Sequence, residues 1–577
     1  MKIAPTLLAI VSLAVSTNIN ATPADEQFQK LAADYIEARL RTYPEDATEL
    51  GDHRFDDKLT DYSAEARAKE LAAQKAFLAK LNAFKESAQL TGANSVDFRI
   101  LKENVESEIF GLEELKSAEW NPLTYNQSLA NALYVLIARE FAPPEERIPN
   151  IGKRMEGIPK VIAQAKANLK NPPKIYTETA IEQIGGAVTF VREGLNPVLD
   201  RAPKMKKDLA PLQEKTAKAL EDYKKWLQDD LLPRSAGDFR IGAEKFRKKL
   251  RFSLASDLSM EEIMKRARAD LAATQTAIYE TALPLYKQYF PNADEATLAD
   301  KKKVTTAVLD KLAEQHPNDE TIVSVAQKTL GEATEFTKAK DLITVFDQPL
   351  QIIVMPEFKR GQGIAYCDSP GPLEKNGETF YAIEPTPSSW SQERKDSFFR
   401  EYNNYMLQDL TIHEAMPGHF LQLAHANKFR APTLVRAIFR SGTFIEGWAV
   451  YAEKFMAEAG YGGAEVKMQQ LKMRLRVICN AILDQSIHTA NMSEQEALDL
   501  MMKEGFQQEG EAVAKWKRAR LSSTQLSTYF VGATEHDQLR DRAEAKAGDS
   551  FDLKKYNESV LSFGSPPAKY VGELLGL

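Results

Sequence analysis

The segment Thr411-Ile412-His413-Glu414-Ala415-Met416-Pro417-Gly418-His419-Phe420 gathers the residue types that zinc hydrolases use. Two imidazoles supply neutral nitrogen ligands, and a carboxylate beside the first can take a proton from water. In the short helical form of such motifs the two histidines lie one turn apart on a single face. His413 and His419 are six residues apart, and six residues rotate ~240° around a regular helix. They cannot share a face of an undistorted helix. Pro417 and Gly418 lie between them. Proline removes a backbone donor and clashes with the preceding turn, while glycine permits unusual dihedrals. The spacing therefore predicts a kink or bulge that swings His419 back toward His413. Without it, the two-histidine reading fails.

A catalytic zinc takes three protein ligands and keeps one open position. Glu446 is the candidate third ligand, in the run Glu446-Gly447-Trp448-Ala449-Val450-Tyr451-Ala452-Glu453. That run reads as a helix following a turn at Ser441-Gly442. Glu453 returns to nearly the same face, where it would orient a ligand from behind; an ordinary surface carboxylate is the competing reading. Histidine is scarce in this chain, and four of its seven, His413, His419, His425 and His488, follow in the same region. The expected cofactor is one zinc ion per chain, with another divalent metal as the alternative.

The elements that must hold these groups are mainly helical. Leu209, Leu212, Leu220, Tyr223 and Leu227 recur at amphipathic-helix spacing. Ser259 with Glu262, and Ser493 with Glu496, have the spacing of capping boxes. Ile263, Ala267, Leu271, Thr274 and Ile278 then mark one buried face. Between about Leu342 and Pro387 the pattern changes to β-prone runs, Ile352-Ile353-Val354 and Phe380-Tyr381-Ala382, punctuated by proline, glycine and asparagine. This predicts a small β insertion near the site. Helix is expected to resume near Ser389, with Gln392 completing a capping box. Phe398, Tyr402, Met406 and Leu410 would then form the buried face leading into His413. The expected fold is a mainly α, single helical assembly over residues 25–577. It has a helical half to about 330 and a site-bearing half over 331–577, with no linker between them.

Length and composition bound the function. The chain has 577 residues, 43% hydrophobic and 27% charged, enough for a large core without staples. A net charge of −7 gives no basic excess for phosphates, so no nucleic-acid partner is expected. The cluster from Lys204 to Lys207 reads as a solvated helix start. Lys2, the apolar run Ile3–Val15 and the small residues to Ala21 and Ala24 read as a signal peptide. Its span is 1–21, with cleavage possible as late as 24. No cysteine follows it, which argues against a lipid anchor, and no later stretch is long and apolar enough to span a membrane. An exported protein, periplasmic or secreted, is expected. Cys367 and Cys479 are too few and too separated to form a disulfide framework, and sequence does not tell whether they pair.

With those residues set out, the chain resembles the bacterial domain-of-unknown-function family 885. The resemblance rests on His413-Glu414-Ala415-Met416-Pro417-Gly418-His419 and Glu446-Gly447-Trp448-Ala449, and strengthens after residue 350. Tyr366, His488 before Ser493-Glu494-Gln495-Glu496-Ala497, Gln525 and Tyr529, Gly532 and Arg540, Phe551-Asp552-Leu553 and Gly564-Ser565-Pro566 are similarly placed. The resemblance implies a zincin-like, helical, often exported protein with metal-dependent peptidase chemistry, and a substrate-binding place for Tyr366. Two positions depart from the family pattern. Phe420 stands where a second histidine often follows Pro-Gly-His, and Tyr556-Asn557 stands near a frequent histidine of the closing motif. The second departure removes a substrate or proton-transfer group.

The expected function is hydrolysis of short peptides by a metal-activated water, with Glu414 as general base. His488 and Tyr529 are candidates to stabilise the developing oxyanion, against a helix-packing histidine and a core tyrosine. Arg540 is a candidate to bind a peptide's terminal carboxylate, against a surface ion pair. A serine hydrolase is disfavoured, since no Gly-x-Ser-x-Gly elbow occurs. The rival class is a non-catalytic exported peptide- or metal-binding protein using the same cleft. Oligomeric state is not readable from the sequence.

Overall fold

The computed structural model describes residues 21–355, 364–374, 377–387, 390–429 and 431–577. The expected signal peptide lies almost wholly outside the described residues. Its last position, Ala21, immediately precedes Thr22, which caps the first helix, Pro23–Thr42, through a capping box with Asp25.

The chain is mainly helical, with one small sheet. The helices that position the candidate site or tie the chain around it are labelled in chain order. They are α1 (Gly92–Phe110) and α2 (Met260–Tyr289) in the first half. After the sheet come α3 (Asn404–Glu414), α4 (His419–Ala426), α5 (Gly442–Glu458), α6 (Gly463–Thr489), α7 (Glu509–Leu521) and α8 (Ser527–Ala547). Both expected capping boxes form: Ser259 with Glu262 opens α2, and Ser493 with Glu496 opens the helix Glu494–Asp499. Ile263, Ala267, Thr274 and Ile278 are buried on α2, and Leu271 packs partly buried beside them. Leu220, Tyr223 and Leu227 are buried in a core whose buried members come from residues 125–231, with Leu59 and Tyr62 packed against it. Lys204 and Lys207 are exposed at the start of the helix Pro203–Trp226.

The β insertion is a three-stranded mixed sheet, β1 (Leu350–Val354), β2 (Ala365–Asp368) and β3 (Thr379–Ile383), in the order β1-β3-β2. β1 runs parallel to β3 with Ile352 opposite Tyr381. β2 runs antiparallel to β3 with Cys367 opposite Tyr381. Tyr381 is fully buried, and its hydroxyl lies 3.5 Å from Thr411 Oγ1. The sheet is thus fastened to the helix that carries His413.

One expectation is corrected in detail. Phe398, Tyr402, Met406 and Leu410 do face one core, but not on a single helix. A helix over Gln392–Glu401, capped by Ser391, ends at Tyr402, and Asn403 starts α3 by accepting from the Tyr405 and Met406 amides at 3.1 Å each. An asparagine side chain satisfies amides that a continuous helix would have bonded internally, so the restart costs little. Ser389, the expected cap, lies outside the described residues.

Several cores join distant parts of the chain. Phe28 and Val96 pack with Val435 and Tyr570; Phe246 and Ile263 pack with Ile478 and Phe530; Ile278 and Val304 pack with Met468 and Leu475. Asp97 of α1 is fully buried against Arg436, Oδ1 to Nε 2.5 Å, and accepts from Thr433. A helix over Ile322–Ala339 runs unbroken across residue 330. Among the described residues, no helix is long and apolar enough to cross a membrane. Cys367 and Cys479 are separate thiols.

Candidate metal centre

The His413–His419 segment breaks as its spacing requires. α3 ends at Glu414, Ala415 leaves helical geometry at φ −131°, ψ −75°, and α4 begins at His419. The Met416–Pro417 peptide is cis. The Gly418 amide donates back to the Ile412 carbonyl at 2.9 Å. A Cβ on Gly418 would lie 2.0 Å from the His413 carbonyl oxygen and 2.2 Å from that of Ile412, so only glycine fits this close return. The Trp448 indole, fully buried on α5, donates to the Pro417 carbonyl at 3.0 Å and fastens the turn. The two imidazoles end with ring centres 4.7 Å apart at 83°.

Glu446 completes a trio. Its Oε2 lies 3.6 Å from His413 Nε2 and 3.4 Å from His419 Nε2, and one ligand atom from each residue falls within 4.8 Å of the others. Two donors, each ~2.0–2.1 Å from a tetrahedral ion, stand ~3.4 Å apart. The measured separations match that spacing. Buried Glu446 Oε2 also has no hydrogen-bond partner among the described residues. An oxygen aimed at two imidazole nitrogens beyond hydrogen-bonding range is what a shared cation would draw together.

Electrostatics favour the same occupant. Burial opposes an imidazolium at His413, yet the carboxylates of Glu446, Glu453 and Glu414 around it raise its pKa well above the ordinary value. Burial acts to raise Glu446, but the two imidazoles outweigh it and hold its carboxyl below the usual range. The centre therefore demands positive charge. His413 Nδ1 meets Glu453 Oε1 at 2.6 Å, and Glu453 is 1% exposed. That contact fixes the proton on Nδ1 and leaves Nε2 turned to Glu446 and His419. Glu453 is thus buried against His413 and is not an ordinary surface carboxylate. Glu453→Gln is expected to weaken zinc affinity about 10- to 100-fold, checked by competition against a chromophoric chelator.

Glu414 stands beside the trio without joining it. It is buried on α3, burial raises its pKa against the pull of His413 and His419, and the Cys367 backbone on β2 acts in the lowering direction. β2 therefore lies beside the candidate base. Tyr529, on α8, has its ring centre 6.5 Å from that of His413. Its oxygen accepts from Arg518 Nη2 at 3.3 Å and Gln525 Nε2 at 3.4 Å. Two donors into the phenol oxygen leave its own proton to point elsewhere. Burial and Glu446 raise its pKa, so it remains a donor.

α5 and α8 meet backbone to backbone, which is how Glu446 and Tyr529 come to one place. A Cβ on Gly447 would lie 2.3 Å from the Gly532 carbonyl carbon. Gly447→Ala is expected to destabilise the protein by about 1–3 kcal/mol through overpacking, read as a lowered denaturant midpoint at unchanged slope.

Two sequence-based assignments do not survive. His488 is not brought to the trio: its Nε2 contacts the Ser522 carbonyl at 2.8 Å, and its ring stacks on Phe246 at 5.6 Å. It is a packing histidine at the end of α6. Arg540 donates to Glu544 at 2.7 Å and Glu458 at 2.8 Å, so two carboxylates of its own chain already occupy the guanidinium. Tyr366 lies on β2 with its phenol near Tyr134 and Asp368, and burial raises its pKa. It belongs to the strand that lies beside Glu414, one residue from Cys367.

Sequence reasoning missed other residues. Asp409, one turn before His413, is fully buried with neither oxygen hydrogen-bonded among the described residues; burial and Glu453 raise its pKa well above the ordinary value. Its position four residues before His413 was a readable signal. Arg518 had none, because Lys515-Trp516-Lys517-Arg518-Ala519-Arg520 reads as an ordinary basic surface run.

Comparison with known proteins gives family and fold. A family model described as a bacterial protein of unknown function, DUF885, matches residues 44–575. A solved structure classed as a lipoprotein of unknown function, from Shewanella oneidensis, is 33% identical, with a TM-score of 0.78. The match covers 95% of this chain and 100% of that one. A second solved structure, classed as a lipoprotein from Colwellia psychrerythraea, shares the fold with a TM-score of 0.78 at 18% identity. It matches over 96% of this chain and 98% of its own. No curated protein matches.

Proposed function

We infer that this chain, which belongs to the DUF885 family of bacterial proteins, is an exported zinc-dependent peptidase acting on short peptides. The observation that carries the reading is the convergence of His413, His419 and Glu446 on one point, with Glu414 buried alongside. Zinc in such a site supplies Lewis acidity, lowering the pKa of water toward ~7 and polarising the scissile carbonyl.

The chain's own groups do the rest. Glu414 accepts the proton of the attacking water and returns it to the leaving amine; the raised pKa that burial gives it brings acid and base forms closer in energy near neutrality. Tyr529, with its oxygen already accepting two hydrogen bonds, donates its proton toward the carbonyl oxygen as negative charge develops. Glu453 holds His413 in one tautomer throughout.

Export belongs to the same proposal. Cleavage after Ala21 would leave the Thr22–Asp25 capping box whole, whereas cleavage after Ala24 would remove its first half. We place the cut after Ala21.

The test is elemental analysis of the purified protein together with digestion of a peptide library, with and without chelator. About one zinc per chain and chelator-sensitive cleavage are expected. Zinc without cleavage of any peptide would favour a metal-binding protein instead. Cleavage indifferent to chelator would reject the metal-dependent reading.

A further inference from the structure

Tyr529 leads away from the centre to Arg518, on α7. Arg518 Nη2 donates to Gln525 Oε1 at 3.0 Å and to the Tyr529 hydroxyl at 3.3 Å, both uncharged. Among the described residues it forms no ion pair, although Glu446 and Glu511 lie within electrostatic reach. Its neighbours are otherwise engaged. Lys472 pairs with Glu401 at 2.8 Å, Arg476 with Glu511 and more distantly with Glu401, and Lys515 with Glu511 at 3.6 Å.

Three cations thus share two carboxylates, and Arg518, beside them, is a fourth that pairs with neither. Lys515 shows the surplus: burial, aided by Arg518 and Arg476, overrides Glu511 and draws its pKa down to about 7. Arg518 is the one member of the four held by neutral partners alone, and it is only partly buried. A planar guanidinium in that condition is a receptor for a carboxylate, which it binds through paired hydrogen bonds.

The placement suits a peptide end. Tyr529 has its ring 6.5 Å from His413 and its hydroxyl on Arg518. Arg518 thus stands one tyrosine side chain from the centre and within electrostatic reach of Glu446, and a substrate that extends one or two residues past the cut, at ~3.3–3.6 Å each, is of a length to reach it. Resting on the peptidase reading, we propose that Arg518 receives the terminal carboxylate of the substrate, so that the enzyme cuts one or two residues from a free carboxyl end. Hydrolysis breaks the carbon–nitrogen bond, placing the water's hydroxyl on the carbonyl carbon and its proton on the leaving amine. The released product is a free amino acid or a dipeptide. This is the role that sequence assigned to Arg540, moved to a residue with no carboxylate of its own.

The test reads binding apart from turnover. The Glu414→Gln protein is titrated calorimetrically with three probes: acetylated trialanine with a free carboxyl end, its carboxamide, and acetylated Ala-Ala-Glu carboxamide. The free acid is expected to bind about 10- to 100-fold tighter than either carboxamide. Adding Arg518→Gln should bring that ratio close to one. Equal binding of all three probes overturns the proposal. So does a glutamyl carboxamide that matches the free acid, because the recognised group would then be a side chain. A preference that survives Arg518→Gln also overturns it, since another group, the metal included, would hold the carboxylate. Should Arg518→Gln fail to fold, digestion of the same free acid and carboxamide by the parent protein decides: equal rates reject the proposal, and a tenfold preference supports it. Equal binding alongside active peptide cleavage would leave the peptidase reading intact. A carboxylate preference without any cleavage would remove the peptidase reading and keep Arg518 as a receptor.

Discussion

Glu414→Gln is expected to lower kcat/KM about 10²- to 10⁴-fold while zinc remains bound. A positioned proton-transfer group contributes about that much. Glutamine keeps the length and shape of glutamate, so the buried position is perturbed little. Metal should stay because Glu414 is not among the converging donors; His413, His419 and Glu446 are. The measurement pairs steady-state cleavage of a library-derived peptide with zinc content of the same preparation. Unchanged cleavage would remove Glu414 as the base. Zinc lost together with activity would mean that the carboxylate belongs to the ligand set.

His413→Ala is expected to take zinc from about one ion per chain to near none, and activity with it. Two physical reasons make His413 the most sensitive of the three donors. It is the donor whose second nitrogen is held by a buried carboxylate, Glu453 at 2.6 Å, and such backing supports the ligand's basicity. It also counters the negative charge of Glu446, Glu453 and Glu414, which would otherwise face one another in a buried space. Glu446→Gln should lower zinc content as well, while leaving the His413–Glu453 contact unchanged. A full equivalent of zinc in either variant rejects the ligand set. Near-native circular dichroism must accompany the loss for it to be read as a site effect.

Much of the site was readable from spacing. The six-residue interval between His413 and His419, with Pro417-Gly418 inside it, demanded a broken helix, and the break is present. Glu446 and Glu453, seven apart, share a face, so once the first points at an imidazole the second can stand behind one. Capping boxes at Ser259 and Ser493 and the strand-rich interval after Leu342 follow from local chemistry, which acts over a few residues. The break at Asn403 was missed because the buried face of Phe398, Tyr402, Met406 and Leu410 keeps helical period across it.

What the sequence determined by itself was therefore local: the mainly helical class, the broken motif, the candidate donors and the neighbouring carboxylate. What only the tertiary structure decided was which distant side chains meet them. The backbone that lies beside Glu414 comes from β2, which pairs with β3 across an interval of sequence that names no partner. Arg540 and Arg518 look alike in sequence, and they differ only in whether folding delivers a carboxylate to the guanidinium. His488 shares the scarcity of His413 and His419 but is packed on Phe246, a contact bridging some 240 residues. Residue type and short spacing are properties of the chain. Neutralisation and burial belong to contacts between parts of it that no local rule connects.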